Sequence, residues 1–424
     1  MSAADTTGVS DPANLPLPHS QAGAGARVTK FDRWLAALIQ GRIADGPVRL
    51  ELWDGELAAG APPRAAGDLV VGDRRALIGL AVYPDLYFGE AYTAGRLGIR
   101  GALTAVVEAL SRSAAAASSR TERLFGALAR VNSISDARRN VHHHYDLGND
   151  FYALWLDREM VYTCAYFADE MMSLDRAQRA KLDLVCRKLQ LRPGESVVEA
   201  GCGWGALALF MAREYGVRVR AFNLSKEQLD WARSRARREG LEGRVEFIED
   251  DYRNVAGVYD AFVSIGMLEH VGRRAYPALA EVLRRSVHRG GGRGLLHFIG
   301  RDEPRPLNAW VRRRIFPGAY TPTLAEVAEQ VTAPAGMSIV DVENLRLHYA
   351  RTLAHWSRRV AAAQDRIRSA NGDQFYRAWE LYLAGSEAAF RTGWMQLFQV
   401  VFAPREIAPP FPTRDVIYRH ELRT

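Results

Sequence analysis

The chain has 424 residues, 48% hydrophobic and 25% charged, with 36 glycines, 18 prolines and three cysteines. That composition excludes a disordered, fibrous or disulfide-scaffolded protein, and the length allows about two to three cored domains. A formal net charge of +7, carried mostly by arginine, fits a partner with phosphates, either nucleic acid or an anionic membrane surface, and fits equally a compositional bias.

Residues 1–27 are rich in Ala, Gly, Pro and Ser without periodicity, which predicts a disordered tail with no signal-peptide core. No run of about 18 uncharged apolar residues occurs, so a spanning helix is not expected and the predicted location is the cytoplasm. Cys164, Cys186 and Cys202 are too few and too irregularly spaced for a disulfide framework or a zinc site, which fits a reducing compartment. Residues 28–110 read as a small mixed α/β domain: "FDRWLAALIQGRI" has helical spacing, and "VRLELWDGELAAG" alternates around Asp54-Gly55, a hairpin signal. The run 111–123, "SRSAAAASSRTER", reads as a helical or flexible linker.

Residues 124–424 form the expected catalytic domain. A helix over "LDRAQRAKLDLVCRKLQ" stops before Pro193-Gly194, and strand "ESVVEA" feeds a glycine turn and the helix "ALALFMAREYG". Strand "VRVRAFNLS", helix "KEQLDWARSRARREG", strands "RVEFIEDD" and "YDAFVSIGM", helix "YPALAEVLRRSVHRGGG" and strand "GLLHFIG" follow. This alternation predicts an α/β fold, a doubly wound parallel sheet with helices on both faces and ligands beyond the carboxyl ends of its strands.

The turn itself, "EAGCGWG", places Gly201, Gly203 and Gly205 within five positions after a buried strand. Glycines so close add nothing to a core, so a ligand must approach the backbone there. A dinucleotide site wants G-x-G-x-x-G and an acid at the end of strand two. The spacing here is G-x-G-x-G and strand two ends in Asn223. No P-loop is present either.

The string Glu199-Ala200-Gly201-Cys202-Gly203-Trp204-Gly205 resembles motif I of class I S-adenosylmethionine methyltransferases, which implies a Rossmann-like sheet and S-adenosylmethionine as cofactor. By that resemblance Glu199 holds the cofactor's ammonium. Asn223, Leu224, Ser225 and Gln228 follow strand two where ribose and amino acid are contacted, and Asp251 and Tyr252 lie at adenine. Asn223 departs from the acid usual in the superfamily.

Further segments narrow the reading: "HYDLGNDFY" (144–152), "YTCAYF" (162–167), "GMLEHVG" (266–272), "LLHFIG" (295–300), "LHYARTLAHW" (347–356) and "FGEAY" (88–92). Together they resemble the cyclopropane-fatty-acyl-phospholipid synthases and mycolic acid cyclopropane synthases. The resemblance implies methylene transfer from S-adenosylmethionine to the cis double bond of an unsaturated phospholipid acyl chain. An alkene attacking a sulfonium methyl leaves a carbocation that must be kept dry and stripped of a methyl proton. In the family the base is a bound bicarbonate ion, and its cradle, carried over, is Cys164, Glu269, His297, Tyr349 and the main chain of Ile299, with Tyr162 and Thr163 beside the cofactor.

Singly, these residues have ordinary readings: Cys164 as packing, His297 as a satisfied core histidine, Glu269 and His270 at a strand end. Consecutive His142, His143 and His144 diverge around a helix and have no acid or Cys partner at ligand spacing, so no metal site is expected. Ser386 stands where some family members carry cysteine, a harmless change because the chemistry needs no thiolate. The segment "NAWVRRRIFPGAYTP" (308–322), with Trp310 and Phe316 beside Arg312, Arg313 and Arg314, reads as an interfacial contact or as a solvated helix start.

The family further implies a lipid-docking, dimer-supporting N-terminal domain, hence a homodimer attached peripherally to the inner membrane. Rival readings are a fatty acyl methyltransferase that leaves a methyl branch or methylene group, and a non-catalytic lipid-binding protein. A nucleic-acid methyltransferase would need a [DN]-P-P-[FYW] tetrad where this chain has "GMLE", so no nucleic-acid partner is expected.

Overall fold

A computed structural model describes residues 27–43, 46–116, 147–407 and 411–418. The expected tail before Arg27, the linker beyond Ala116 and the residues His142, His143, His144 and Tyr145 lie outside the described residues. The chain divides into two compact units, Met1–Ser119 with Val360–Thr392, and Arg120–Arg359 with Gly393–Thr424.

In the first unit Thr29 and Asp32 form a capping box that starts the helix Lys30–Arg42. That helix buries Leu35, Ala36 and Ile39 and leaves Phe31, Trp34 and Leu38 exposed. Strands β1 (Val48–Glu51), β2 (Gly67–Val71) and β3 (Leu97–Arg100) make a mixed sheet, with β1 parallel and β3 antiparallel to β2. The hairpin expected at Asp54-Gly55 is corrected: the turn forms, but its return arm is a single bridge, Glu51 to Leu57. Gly60, Pro62 and Pro63 follow, and proline has no N–H with which to extend a ladder. Residues 111–116, the start of the expected linker, are helical and finish the helix Leu103–Ala116.

A larger correction concerns the domain boundary. The helices Gln364–Asn371 and Asp373–Thr392, expected in the catalytic domain, belong to the first unit. Arg377 on the longer helix donates to the carbonyls of Tyr92 (2.7 Å) and Leu97 (3.0 Å), and Tyr92 Oη donates to Glu380 (2.7 Å).

The second unit holds strands β4 (Ser196–Ala200), β5 (Arg218–Asn223), β6 (Val245–Glu249), β7 (Ala261–Ile265), β8 (Arg293–Gly300), β9 (Met337–Asn344) and β10 (Gln396–Pro404), in the order β6-β5-β4-β7-β8-β10-β9. β4 to β8 run parallel, as expected; β10 runs antiparallel between β8 and β9. Both faces of the sheet are apolar: Val197, Val263, Leu295 and Val401 pack on one side, Val198, Phe262, Leu296 and Val400 on the other. Such two-sided burial is what helices covering both faces produce. Strand order turns away from β4 in both directions, so the site belongs at its carboxyl end. Among the described residues no helix is long and apolar enough to cross a membrane.

Candidate active site

β4 ends at Ala200, and the backbone then runs through three glycines with positive φ: Gly201 (+83°), Gly203 (+53°) and Gly205 (+79°). The turn is fastened to β5, because the N–H groups of Gly201 and Cys202 both donate to the Phe222 carbonyl (2.9 and 3.1 Å). Asn223 adds a second tie, donating from Nδ2 to the Gly203 carbonyl (3.2 Å) and to Gln228 Oε1 (2.8 Å) while Oδ1 accepts the Leu224 N–H. Its side chain thus braces the turn, which explains an amide where the superfamily has an acid.

A cavity opens over this turn. Tyr162, Thr163, Glu199, Gly201, Cys202, Gly203, Trp204, Asn223, Leu224, Gln228, Asp251 and Tyr252 line it, bringing together all the expected cofactor positions except Ala200, Gly205 and Ser225. Those three have structural work. Ala200 is buried in β4, and Ser225 Oγ caps the helix Lys226–Arg238. Gly205 begins the helix Ala206–Tyr215, where a Cβ would stand 2.6 Å from the Phe247 ring and 2.8 Å from Ala232.

The cavity suits a cofactor with an ammonium. Glu199 is 3% exposed and its Oε2 has no partner, so burial pushes its carboxyl up to about 8; a cation beside it restores the charged form. At the other end Arg253 grips the Asp251 carboxylate (2.7 and 2.9 Å) and lies 5.4 Å over the Tyr252 ring.

Three of the five positions expected to hold bicarbonate, Glu269, His297 and Ile299, lie at neighbouring strand ends. His297 and Ile299 share one face of β8, two residues apart. Glu269 lies in the first turn of the short helix Leu268–Val271, and its Oε1 accepts the Ile299 N–H at 2.6 Å. That N–H, expected to face the anion, therefore holds Glu269 in place. Across the ladder Ile299 pairs with Leu397 of β10, whose carbonyl accepts the Leu345 N–H (2.8 Å). The Leu345 carbonyl in turn takes Cys164 Sγ (3.8 Å) and the Tyr349 N–H (3.1 Å). Strand pairing and hydrogen bonds thus connect Glu269 and Ile299 to Cys164 and Tyr349, while His297 lies two residues back along the same strand.

The polar atoms left over are specific. Glu269 Oε2 and His297 Nε2 are buried without partners. Burial pushes the Glu269 carboxyl up to about 7, against the pull of the Ile299 N–H, and keeps His297 well below its ordinary value, helped by the positive charges of Lys181 and Lys188. The same burial raises the Cys164 thiol, which stays protonated. Neutral His297 has one donor and one acceptor nitrogen; with Gln399 Nε2 on its Nδ1 at 3.1 Å, Nε2 carries the proton. An oxyanion bearing one hydroxyl matches this set, accepting from His297 and donating to Glu269.

Around the cradle Tyr152, Trp155, Tyr162 and Trp356 pack with ring centroids 5.2–5.6 Å apart, and Tyr349 meets Trp356 edge-on at 6.0 Å. The positions that sequence reasoning missed are Lys181, Met267 and His270 in the cavity wall and Gln399 behind His297. Of these, Met267 and His270 carried a signal, their place in "GMLEHVG". The segment 308–322 packs beside the site, with Phe316 5.9 Å from His270 and the Tyr320 N–H on the Glu269 carbonyl (2.8 Å). Trp310, expected at an interface, is 4% exposed. Ser386 sits half-buried in the first unit.

Comparison with known proteins agrees with this geometry. Residues 132–400 match the family described as mycolic acid cyclopropane synthetase. A probable fatty acid methyltransferase of Pseudomonas putida is 36% identical over 364 residues, 84% of this chain and 91% of that protein. The cyclopropane-fatty-acyl-phospholipid synthase of Escherichia coli is 39% identical over 61% of this chain and 66% of that one. The structure of mycolic acid cyclopropane synthase CmaA1 complexed with SAH and CTAB superimposes with a TM-score of 0.59 at 30% identity, covering 62% of this chain and 97% of that one. The glycine turn, the sheet order and the matched span together place the chain in the cyclopropane-fatty-acyl-phospholipid and mycolic acid cyclopropane synthase family of S-adenosylmethionine-dependent methyltransferases.

Proposed function

We propose that the chain adds a methylene group to the cis double bond of unsaturated acyl chains in membrane phospholipid, closing a cyclopropane ring, with bound bicarbonate as the base. The observation that carries this reading is that Glu269 Oε2 and His297 Nε2 are both buried without partners, while Cys164, also buried, stays protonated. None of the three is a strong base in that setting, yet the set matches a small hydrogen-bonding oxyanion. S-adenosylmethionine supplies an electrophilic methyl group. One alkene carbon bonds to that methyl as the C–S bond breaks, the other becomes cationic, and a methyl proton passes to bicarbonate as the ring C–C bond forms. Trp356, Tyr162 and Tyr349 exclude water and offer aromatic faces to the cation.

The test is product analysis. Purified protein, S-adenosylmethionine and vesicles of cis-monounsaturated phospholipid should yield lipid heavier by one methylene unit, with high-field ring protons and loss of olefinic signals. Removing dissolved carbonate should slow turnover and restoring it should recover the rate. A second reading is supported by the Pseudomonas relative, named a probable fatty acid methyltransferase and matched over most of both chains. A methyl-branched or methylene product would establish that reading in place of ring closure.

For access to the bilayer we look to the helix Lys30–Arg42. Phe31, Trp34 and Leu38 stand at 53%, 59% and 40% exposure along one face, with Lys30 exposed beside them. An aromatic and aliphatic stripe beside a basic group suits the headgroup boundary of an anionic leaflet and supports peripheral attachment to the inner membrane. Trp34→Asp should weaken cosedimentation with anionic vesicles, about tenfold or more for the lost apolar burial and added charge. Unchanged vesicle binding together with a shift from dimer to monomer would assign this face to a second copy of the chain.

A further inference from the structure

Behind His297 a polar row crosses the sheet. Gln399 of β10 stands in register with His297 of β8 on one side and with Glu343 of β9 on the other, so the three side chains share one face. Leu295 and Val401 continue that face as packed core. Gln399 is fully buried; its Nε2 lies 3.1 Å from His297 Nδ1, and its Oε1 has no partner. At the Glu343 end sits a fully buried ammonium, that of Lys188, the last residue of the helix Leu174–Lys188. It pairs with Glu343 (2.5 Å) and reaches Asp341 at 3.7 Å, which Arg414 also holds (2.6 Å). A buried amide and a buried ammonium are costly in a core. Neither lines the cofactor cavity, so ligand contact there does not account for them.

We infer that Gln399 is a positioning residue for the reaction, holding His297 as the tautomer with its proton on Nε2, and that the buried Lys188–Glu343 pair fixes which end of the amide faces the ring. A neutral imidazole has two tautomers, and the partner of one nitrogen decides which persists. An amide can present either end: its nitrogen leaves the ring proton on Nε2, whereas its oxygen would draw that proton to Nδ1 and make Nε2 an acceptor. The Lys188 charge selects between them. It lies at the Glu343 end of the row and its field reaches His297, and a cation on that side favours the amide oxygen towards itself and the NH₂ towards the ring. Lys181, seven residues earlier on the same face of the helix, adds a second positive charge, so the two together oppose a third on His297. The tautomer matters because Glu269 Oε2 is unpartnered. With Nε2–H as donor and Oε2 as acceptor the site meets both the O⁻ and the OH of bicarbonate; with the proton on Nδ1 it would offer two acceptors and no donor from these side chains.

This role rests on the bicarbonate reading of the cradle, and one set of measurements separates the two. Nitrogen-15 NMR of histidine-labelled protein, with His297 assigned through its absence in His297→Gln, reads the tautomer directly. The wild-type ring should carry its proton on Nε2 at neutral pH. Gln399→Glu replaces the donor by an acceptor and should move that proton to Nδ1. Its turnover should fall about 100-fold or more, as for a lost oxyanion donor, while S-adenosylhomocysteine affinity stays nearly unchanged. Gln399→Leu, which keeps the strand apolar, should give a mixture of tautomers and about a tenfold loss of turnover, and decides the matter where Gln399→Glu fails to fold. A bare Nε2 in the wild-type protein, or an inverted tautomer at undiminished turnover, overturns the assignment. Wild-type protein with Nε2 protonated that transfers no methylene group to unsaturated lipid would instead overturn the proposed reaction and leave the tautomer assignment standing.

Discussion

Glu269 shows how a single side chain divides its work. Oε1 is fixed by the Ile299 N–H, and Oε2 is buried with no partner. In Glu269→Gln the amide oxygen can still accept from Ile299, but a donor replaces the second acceptor. Turnover should fall about 100-fold or more while cofactor affinity stays nearly unchanged, as for a contact made in the transition state. The pH dependence has a definite sign. Burial raises this carboxyl from its ordinary range to about 7, so the acceptor form, and with it the rate, appears as pH rises through about 7. Stability runs the other way: a raised folded value favours the protonated form, and its contribution is lost as pH rises from the ordinary glutamate value through about 7. A pH–rate profile without a limb near 7 would remove Glu269 from the cradle. Glu269 and His297 were legible because they sit in short, unusual strings at strand ends. Lys181 and Gln399 were not: a lysine in an amphipathic helix and a glutamine in an apolar strand look like ordinary surface residues until their neighbours bury them.

The strand–turn–helix element from β4 to Ala206–Tyr215 separates two kinds of glycine. At Gly203 a Cβ would meet no protein atom within 4 Å, and the position lines the cavity. At Gly205 the space belongs to Phe247 and Ala232. Gly203→Val should therefore abolish S-adenosylmethionine binding in a protein that still folds, at about 1–2 kcal/mol of backbone strain from positive φ. Gly205→Ala should lower the melting temperature, with overpacking adding about 1–3 kcal/mol. Melting curves and calorimetry on both variants check the contrast. Sequence reasoning treated the three glycines alike because spacing shows a tight turn without showing which Cβ direction is filled. It located β4 to β8 from their apolar runs and missed the β9–β10 pair. β9 buries only Met337 and Asp341 fully, so its pattern is weak.

At the scale of the molecule, the first unit runs to Ser119 and takes back Val360–Thr392 from far along the chain. Composition marks where the first unit pauses, but the return of the Gln364–Asn371 and Asp373–Thr392 helices depends on contacts such as Arg377 to Tyr92 that no local pattern announces. A version of the protein lacking Val360–Thr392 should leave the first unit proteolytically labile while the β4–β8 core stays protected; limited proteolysis reads both at once. The same arrangement has a biosynthetic consequence. On the ribosome, the residues that begin the first unit emerge long before the helix that completes it, and at about 5–20 residues per second the interval is on the order of tens of seconds. Phe31, Trp34 and Leu38 are then exposed on a half-assembled unit throughout synthesis of the whole sheet between them and their closing helix. The nascent chain therefore carries this exposed apolar face through the synthesis of the whole intervening sheet before the helices that complete its unit exist.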